Sequence, residues 1–369
     1  MTPLPGPGAR HGLREVLPSV AARLGADGFI DTLGLPDARR YVVMVVDGLG
    51  AQLLAAHPGE APFLSSLPSV TDLVCGVPST TAASLTSLGT GLAPGEHGVV
   101  GYTCRVPSTG RRLNSLTWDD SVDPETWQPH PTVLERLVRA GVPAASVNSA
   151  DFEHSGLTRC SQRGAPFHGI GSVWERLDTV LDVVESAPTG LVYAYESRLD
   201  HTGHVKGCTS QDWRDVLRQV DADVAELARE LPSDTALLVT ADHGMIDVPD
   251  ADRFDVDEHP RMLDQVTLLA GEARFRHVYT EAGAARDVAA RWRAELGERA
   301  IVRTQEDGLD DWFGPIDPAV AGRIGDVVVA ALDDFAVFSS REFAIELRIK
   351  GVHGSVTEAE LQVPLLAAL

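Results

Sequence analysis

The sequence predicts an α/β protein with a mostly parallel sheet that helices cover on both faces. Apolar, strand-like runs occupy residues 41–46, 144–148, 191–195 and 236–240. Amphipathic helical patterns lie at residues 132–140 and 211–231, between these runs. Strands that alternate with helices favour a parallel sheet, because each helical crossover returns the chain to the same edge. The composition agrees, since 44% of the 369 residues are hydrophobic, which is enough for a sizeable core.

The first predicted strand runs into Asp47, Gly48 and Gly50 in the stretch VVDGLG. Functional side chains gather at the carboxyl ends of the strands in an open parallel sheet. An aspartate at such an end, beside glycines that permit a tight turn, is a candidate metal ligand. The structural alternative for Asp47 alone is a turn or helix-capping aspartate.

Residues 77–91, VPSTTAASLTSLGTG, concentrate seven Ser or Thr residues with no charge and few large apolar side chains. We expect a hydroxyl-rich turn that leads into a helix, whose first N–H groups can bind an anion. A hydroxyl next to a metal cation loses its proton readily and becomes a nucleophile toward phosphorus. For most of the seven hydroxyls, the structural reading as helix-capping groups is sufficient.

Carboxylates and imidazoles follow two further predicted strands. The run at 191–195 is followed by RLDHTGHVKG, with Asp200 and His204, and the run at 236–240 ends in Asp242 and His243. His353 lies between two glycines in KGVHGS. Each group alone could be a set of polar loop residues. Together with Asp47 they supply six carboxylate or imidazole side chains, a set that suits zinc and is sufficient for two metal ions.

The pattern of the sequence changes after residue 241. Residues 247–259 are rich in acidic side chains and predict a loop, and short strand patterns follow at 266–270, 275–279, 300–304, 326–331 and 335–338. We therefore expect an α+β cap or insertion at residues 248–350. The α/β core then comprises residues 1–247 and 351–369.

The net charge of −22 predicts a surface that repels nucleic acid polymers and anionic membranes, so we expect a small-molecule substrate. No apolar run approaches the roughly 20 residues of a membrane span. The N-terminus shows no basic stretch followed by an apolar one, as a secretory signal would. The four cysteines are widely spaced, and we expect reduced thiols and a cytoplasmic location. No pattern indicates an oligomeric state.

These motifs resemble those of the alkaline phosphatase superfamily, and within it the nucleotide pyrophosphatase/phosphodiesterase branch. The matching stretches, in family order, are VVDGLG, PSTTAASLTSLGTGLAPGEHGV, DHTGH, ADHGM and VHGS. They span residues 41–355, nearly the whole chain. The resemblance implies a three-layer α/β/α sandwich with a mostly parallel central sheet, and the predicted insertion fits the cap segments of this superfamily.

The resemblance also implies two zinc ions and a threonine nucleophile. One zinc ion would be held by Asp47, Asp242, His243 and the Thr81 oxygen, and the other by Asp200, His204 and His353. Thr81 would attack phosphorus in line to give a phospho-threonine, which water then hydrolyses. The adjacent Thr80 is a less favoured nucleophile, and manganese or iron remains open in place of zinc.

The natural substrate is left open by the sequence. The resemblance assigns a substrate contact to Ser84, three residues after Thr81, where we expect asparagine in diesterases of this branch. We predict cleavage of phosphodiester or pyrophosphate bonds in small, nucleotide-type molecules, with a phosphomonoesterase or phosphonate hydrolase as the alternative. A mutase is less favoured because the predicted cap is acidic at residues 247–258, and a non-catalytic metal-bound scaffold is less favoured because nucleophile and ligands are all present.

Three further residues each have two possible roles, and a fourth has one. Glu153, Arg159 and Arg163 follow a predicted strand and could contact a phosphate or leaving group, or form a salt-bridged surface loop. His97, in GEHGV, favours a structural role.

Overall fold

The computed structural model describes residues 10–369, so most of the N-terminal stretch that lacks a signal pattern lies outside the described residues. The strands of four or more residues are β1 (Arg40–Val46), β2 (Ala144–Ser149), β3 (Phe167–Ile170), β4 (Gly190–Glu196), β5 (Thr235–Thr240), β6 (Val266–Glu272), β7 (Phe275–Thr280), β8 (Ala300–Thr304), β9 (Val327–Ala331) and β10 (Leu365–Ala368). The helices of eight or more residues are α1 (Val16–Arg23), α2 (Thr81–Thr90), α3 (Glu175–Glu185), α4 (Arg198–Lys206), α5 (Gln211–Glu230) and α6 (Ala285–Leu296).

Shorter elements connect these. The short α-helices are Ala51–Ala56, Pro62–Ser66, Pro94–His97, Pro124–Trp127, Val133–Arg139, Gly156–Ser161, Asp310–Phe313, Pro318–Ala321 and Glu358–Leu361. The short strands are His11–Gly12, Leu73–Val74, Thr103–Arg105, Arg112–Asn114, Ile246–Asp247, Arg253–Asp255, Ala336–Phe338, Gly351–Val352 and Gln362–Val363. The 3₁₀ turns are Leu13–Glu15, Ala150–Phe152, Asp250–Asp252, Val256–Glu258, Pro260–Leu263, Gly297–Arg299, Gln305–Asp307 and Glu346–Arg348.

The central sheet has six strands in the order β10-β5-β1-β4-β2-β3. Neighbouring strands are parallel, except that β10 runs antiparallel to β5 at one edge. The middle strand β1 is buried at every residue from 41 to 46, as expected for a strand covered on both faces. Because β5, β1 and β4 are adjacent and parallel, the loops that follow them meet at one edge of the sheet.

Two layers of helices cover this sheet. Helix α3 packs on β4, β2 and β3 and contacts α5. Helix Val133–Arg139 packs on β2 and contacts α1 and α2 in the other layer. The result is the predicted α/β/α sandwich, with α2 placed so that its N-terminus faces the carboxyl edge of the sheet.

A second sheet, β6-β7-β9-β8, is antiparallel throughout and lies within the chain segment predicted to be an insertion. Alternate residues of β9 point to opposite faces of this sheet. Val327, Val329 and Ala331 join a hydrophobic cluster with Trp292 of α6, whereas Val328 and Ala330 join the main core. The second sheet therefore packs into the main core through one face.

Two local predictions differ from the structure. The stretch RLDHTGHVKG, expected after a strand as polar loop residues or ligands, contains the whole of helix α4 and ends at the glycine that follows it. The expected loop at residues 247–259 contains short strands and 3₁₀ turns. The strand Ile246–Asp247 pairs with Gly351–Val352, and Arg253–Asp255 pairs with Ala336–Phe338.

The four cysteines, Cys75, Cys104, Cys160 and Cys208, are buried and form no disulfide within the described residues. Among residues 10–369, no helix combines the length and apolar character that a membrane crossing requires.

Candidate active site

Asp47 directly follows β1, and its backbone N–H donates to the carbonyl oxygen of Glu196 at 2.9 Å. The loops after β1 and β5 touch through glycine: a Cβ on Gly50 would lie 2.6 Å from the Cα of Gly244. Any side chain at Gly50 would push these loops apart. The glycines of the DGLG and DHG stretches therefore let the residues after two neighbouring strands come together.

Asp242 is held in one orientation by backbone donors. Its Oδ1 accepts hydrogen bonds from the Gly48 N–H at 3.2 Å and from the His243 N–H at 3.0 Å. The other oxygen, Oδ2, has no hydrogen-bond partner within the described part of the chain. It lies 3.5 Å from Nε2 of His243.

Helix α4 carries Asp200 and His204, four residues apart and so on one face of the helix. Asp200 Oδ2 lies 3.4 Å from Nε2 of His204, and its Oδ1 lies 3.8 Å from Nε2 of His353. His353 follows the short strand Gly351–Val352 and stacks on His243 with ring centroids 3.6 Å apart. The histidines of three separate segments thus surround Asp200.

The three histidines share one hydrogen-bonding pattern. Nδ1 of His243, His204 and His353 faces the carbonyl oxygen of Gly244, Gly351 and Ser79 at 3.0, 2.8 and 2.8 Å respectively. A carbonyl oxygen only accepts, so each Nδ1 carries the proton and each Nε2 presents its lone pair to the site. A backbone contact that fixes the tautomer in this way is typical of metal-binding histidines.

Thr81 is the first residue of α2, and Thr80 is the N-cap residue. The Thr81 side-chain oxygen lies 3.1 Å from Nε2 of His243. Free backbone N–H groups at the start of this ten-residue helix attract anions such as a phosphoryl group. The hydroxyl and the anion-binding helix end therefore face the same space as the carboxylates.

The carboxylates lie close to one another and are shielded from water. Burial, and then the neighbouring charges of Asp200 and Asp242, raise the pKa of Asp47 well above its usual value. Burial also raises the pKa of Asp242. Burial and the two neighbouring imidazoles lower the pKa of His353, which keeps it neutral.

The seven residues expected at a metal centre all meet at this edge of the sheet. Ligand atoms of Asp47, Asp242 and His243 lie within 4.8 Å of one another, as do those of Asp200, His243 and His353. Asp47 Oδ1, Asp200 Oδ1 and Asp242 Oδ2 are buried without a hydrogen-bond partner among residues 10–369. Unsatisfied carboxylate oxygens opposite unprotonated Nε2 atoms fit one or two divalent cations well.

Ser84, the expected substrate contact, lies in the core and not on the cavity wall. It lies on α2 one turn after Thr81, is fully buried, and is not among the residues that line the cavity described below. Its hydroxyl lies instead near the thiol of Cys75. The next residue of the helix, Leu85, lines the cavity instead.

None of the four secondary candidates lines the cavity described below, and three of them have structural partners. Arg159 pairs with Asp123 and Glu125, and Arg163 donates to the His130 carbonyl oxygen and lies 3.5 Å from Glu135. Glu153 is exposed and does not line the cavity. His97 is fully buried, with Nε2 2.9 Å from the Ser87 hydroxyl, and burial lowers its pKa to about 3.

The candidate site opens into a cavity of about 760 Å³. Asp47, Thr81, Asp200, His204 and His353 form part of its wall. The other lining residues are mostly apolar or aromatic and come from both sheets and their connections; they include Leu85, Tyr102, Leu116, Asn148, Phe152, Tyr195, Glu272, Ile345 and Arg348. A cavity of this size can hold a nucleotide-sized molecule.

Two residues at the site carry no sequence signal that would have identified their roles. The Tyr195 hydroxyl, on β4, donates a hydrogen bond to Oδ2 of Asp47, and burial raises its pKa well above the usual value. It therefore stays protonated and orients Asp47. Glu272, at the end of β6, lines the cavity from the second sheet.

Comparison with known proteins gives one consistent result. The family model for type I phosphodiesterase / nucleotide pyrophosphatase matches residues 41–356. An uncharacterised pyrophosphatase/phosphodiesterase of Schizosaccharomyces pombe is 26% identical over 223 residues, which cover 57% of this chain and 45% of the relative. The chain therefore aligns with less than half the length of that relative.

Solved structures agree on the fold. Murine ectonucleotide pyrophosphatase/phosphodiesterase 5 superposes with a TM-score of 0.71 at 18% identity, covering 89% of this chain and 87% of that one. The human protein of the same name gives a TM-score of 0.70, with the same identity and coverage. An inactive variant of the murine protein, in complex with AMP, also gives 0.70 at 18% identity, covering 89% and 87%.

Proposed function

Because this chain belongs to the type I phosphodiesterase / nucleotide pyrophosphatase family, we propose that it is a hydrolase that cleaves phosphodiester or pyrophosphate bonds of small, nucleotide-type molecules. The observation that carries the proposal is the cluster of buried Asp and His side chains around the Thr81 hydroxyl. The AMP bound to a structural relative supports a nucleotide-type substrate.

Two divalent cations complete the proposed site. Asp47, Asp242, His243 and Thr81 would hold one, and Asp200, His204 and His353 the other. Imidazole nitrogen and carboxylate oxygen are ligands that suit zinc, although manganese and iron accept the same donors. Bound cations would supply positive charge that offsets the buried carboxylates, lowers the pKa of the Thr81 hydroxyl and neutralises charge on the phosphoryl group.

Residues of the chain provide the nucleophile, bind the phosphoryl group and position the ligands. Thr81 attacks phosphorus and forms a phospho-threonine while the leaving group departs on the opposite side, and water then cleaves the phospho-threonine. Nε2 of His243 lies 3.1 Å from the Thr81 oxygen, so both atoms can reach the same cation. The backbone N–H groups at the start of α2 bind the phosphoryl oxygens. Tyr195 holds Asp47 in position.

The net charge of −22 supports a small substrate rather than a nucleic acid polymer or a membrane surface. The buried, unpaired cysteines of the described chain are compatible with a reducing compartment, and a cytoplasmic location remains part of the proposal.

The direct test compares bis(p-nitrophenyl) phosphate with p-nitrophenyl phosphate, using zinc-loaded protein. We expect a higher kcat/KM for the diester. A clear preference for the monoester would replace the proposal with a phosphomonoesterase, and turnover of neither ester would direct the test to phosphonates. Ser84→Ala serves as a control and should leave both rates unchanged, because Ser84 does not line the cavity.

A further inference from the structure

Two side-chain amides that line the cavity, those of Asn148 and Gln162, are buried, at 3% and 6% exposure. Asn148 Oδ1 accepts a hydrogen bond from the Ser149 N–H at 2.8 Å. Gln162 Oε1 accepts one from the Ser146 hydroxyl at 2.5 Å. Neither amide nitrogen has an acceptor among residues 10–369. A buried donor without an acceptor is costly, so these N–H groups favour a ligand that brings an acceptor into the cavity.

The strand register places Asn148 relative to the candidate metal centre. In the parallel pair of β2 and β4, Val147 lies opposite Ala194. The next step along both strands puts Asn148 beside Tyr195 on one face of the sheet, about 4.8 Å away across the strands. The Tyr195 hydroxyl donates to Oδ2 of Asp47. One strand spacing and the length of one tyrosine side chain therefore separate Asn148 from that carboxylate.

Gln162 lies deeper in the cavity than Asn148. Its oxygen is held by Ser146, which precedes Asn148 by two residues on β2 and so lies farther from the carboxyl edge of the sheet. The helix Gly156–Ser161, which ends directly before Gln162, packs on α2, whose first residue is Thr81. The two amides are thus set back from the reacting centre. The ribose of a 5′-nucleotide places a comparable span between phosphorus and the far edge of the base.

The surroundings of the two amides are uncharged. Six residues of the segment 148–162 line the cavity, and none of them carries a charge: Asn148, Phe152, Ser155, Leu157, Thr158 and Gln162. Asp151, Glu153 and Arg159 of the same segment do not line it. The Phe152 ring lies 6.4 Å from that of Tyr195 and adds apolar surface for a flat ring. This part of the wall therefore suits a neutral, planar group that accepts hydrogen bonds.

We propose that Asn148 and Gln162 are specificity-determining residues that donate hydrogen bonds to a carbonyl oxygen at the edge of the nucleobase opposite the ribose. Uracil and hypoxanthine carry a carbonyl oxygen there. Cytosine and adenine carry an amino group, which would face the two amides donor to donor. The site therefore selects oxo bases over amino bases. The proposal rests on the phosphodiesterase function above and narrows its nucleotide-type substrate.

The test compares two pairs of p-nitrophenyl esters, those of uridine and cytidine 5′-phosphate and those of inosine and adenosine 5′-phosphate. Within a pair the ring size, ribose and leaving group are the same, and the bases differ at the edge opposite the ribose. In the pair that the zinc-loaded protein hydrolyses faster, we expect kcat/KM to be roughly tenfold to hundredfold higher for the oxo base. Equal values in that pair, or a higher value for the amino base, would overturn the proposal.

Two variants assign the preference to the amides. Asn148→Leu and Gln162→Met keep the approximate shape of each side chain and remove its donors, so each should lower the ratio of oxo to amino kcat/KM toward one. Asn114→Leu is the matched control, because Asn114 Oδ1 also accepts backbone N–H groups but Asn114 does not line the cavity. It should keep the wild-type ratio. An unchanged ratio in Asn148→Leu or in Gln162→Met would remove that residue from the proposal.

A binding measurement separates failure of this proposal from failure of the proposed function. Calorimetry with uridine, cytidine, inosine and adenosine 5′-phosphates needs no turnover. If the wild-type protein hydrolyses no nucleotide ester but binds the oxo nucleotide of a pair more tightly, and Asn148→Leu does not, the base site stands and the phosphodiesterase proposal falls. Equal dissociation constants within both pairs would reject the base site.

Discussion

Asp47, Asp200 and Asp242 each keep one buried carboxylate oxygen without a hydrogen-bond partner within the described residues. Three such groups in contact repel one another in the absence of a cation. The same side chains are therefore unfavourable for the metal-free fold and favourable for metal binding. Replacing one of them has opposite effects on the two states of the protein.

Asp47→Asn tests this opposition. We expect the variant to be more stable than the wild-type protein in a chelator, by roughly 1–3 kcal/mol, because an amide removes a buried charge. We also expect it to lose most of the stabilisation by excess zinc, which for the wild-type protein is about 2.7 kcal/mol at a hundredfold excess over Kd. Urea unfolding with and without zinc measures both changes. Unchanged zinc stabilisation would remove Asp47 from the metal site.

Glu272 predicts a pH dependence. Burial raises its pKa to about 8 from the usual 4.5, so between these values the folded protein holds a proton that the unfolded chain releases. Stability from this group is therefore complete below pH 4.5, falls by ~1.4 kcal/mol per pH unit as the pH rises, and levels off above about 8.

In Glu272→Gln this slope should be absent. The difference in unfolding free energy between the metal-free wild-type protein and the variant, measured in urea at intervals from pH 5 to pH 8, should change in favour of the variant as the pH rises. A constant difference would mean that the pKa of Glu272 is not raised.

At the scale of single elements, α2 determines where Thr81 lies. Its position depends on contact with the segment Gly156–Ser161: a Cβ on Gly89 would lie 1.9 Å from the carbonyl oxygen of Ser161. Nothing in the sequence around Gly89 indicates this contact. From the sequence alone, a glycine inside a helix predicts only a lower helix stability. The contact is made by Ser161, which lies more than 70 residues away in the sequence.

Gly89→Ala should therefore move or tilt α2. We expect a loss of roughly 1–3 kcal/mol in the free energy of unfolding and a fall in kcat larger than the fall in bound metal. Gly59→Ala is the control, since no atom lies within 4 Å of a Cβ there and it should be close to neutral. Wild-type kcat in Gly89→Ala would show that the helix position tolerates the extra methyl group.

The elements with a clear pattern were predictable. The apolar runs at 41–46 and 236–240 correspond to β1 and β5, within one residue at each end, and Ala300–Thr304 matches β8. The short edge strands β3 and β10 were missed. β3, with the sequence FHGI, has one buried residue and shows neither an apolar run nor alternation. Such strands form because a neighbouring strand offers free hydrogen-bonding groups.

Some residues of the site were likewise predictable from the sequence, and others were not. Asp47, Asp242 and His243 were predictable because residues after parallel strands share one edge of the sheet. Glu272 was not, because its place in the cavity depends on how the second sheet packs against the first. The burial of Ser84 was not predictable either, because it depends on which segments pack against α2.

At the scale of the whole molecule, the second sheet is joined to the core by a buried ion pair. Arg274, between β6 and β7, is bonded to Glu360 of the helix Glu358–Leu361, and both side chains are fully buried. The same glutamate accepts a hydrogen bond from the Ser355 N–H, close to His353. The pair thus connects the sheet that carries Glu272 to the segment that carries a proposed metal ligand.

Arg274→Met leaves Glu360 buried without its partner, which we expect to cost about 3–5 kcal/mol. The matched control, Arg286→Met, breaks an exposed pair with Glu306 and should cost no more than about 1 kcal/mol. Urea unfolding compares the two variants. Similar small losses in both would mean that the second sheet does not depend on the buried pair.

The central claim is that the Asp and His cluster holds divalent cations beside a nucleophilic Thr81. The most direct test measures bound zinc and turnover of bis(p-nitrophenyl) phosphate in the same samples of wild-type protein and Thr81→Ala. We predict two zinc ions per chain in both proteins, and a loss of at least about a thousandfold in kcat for the variant. Turnover by zinc-loaded Thr81→Ala at the wild-type rate would contradict the claim.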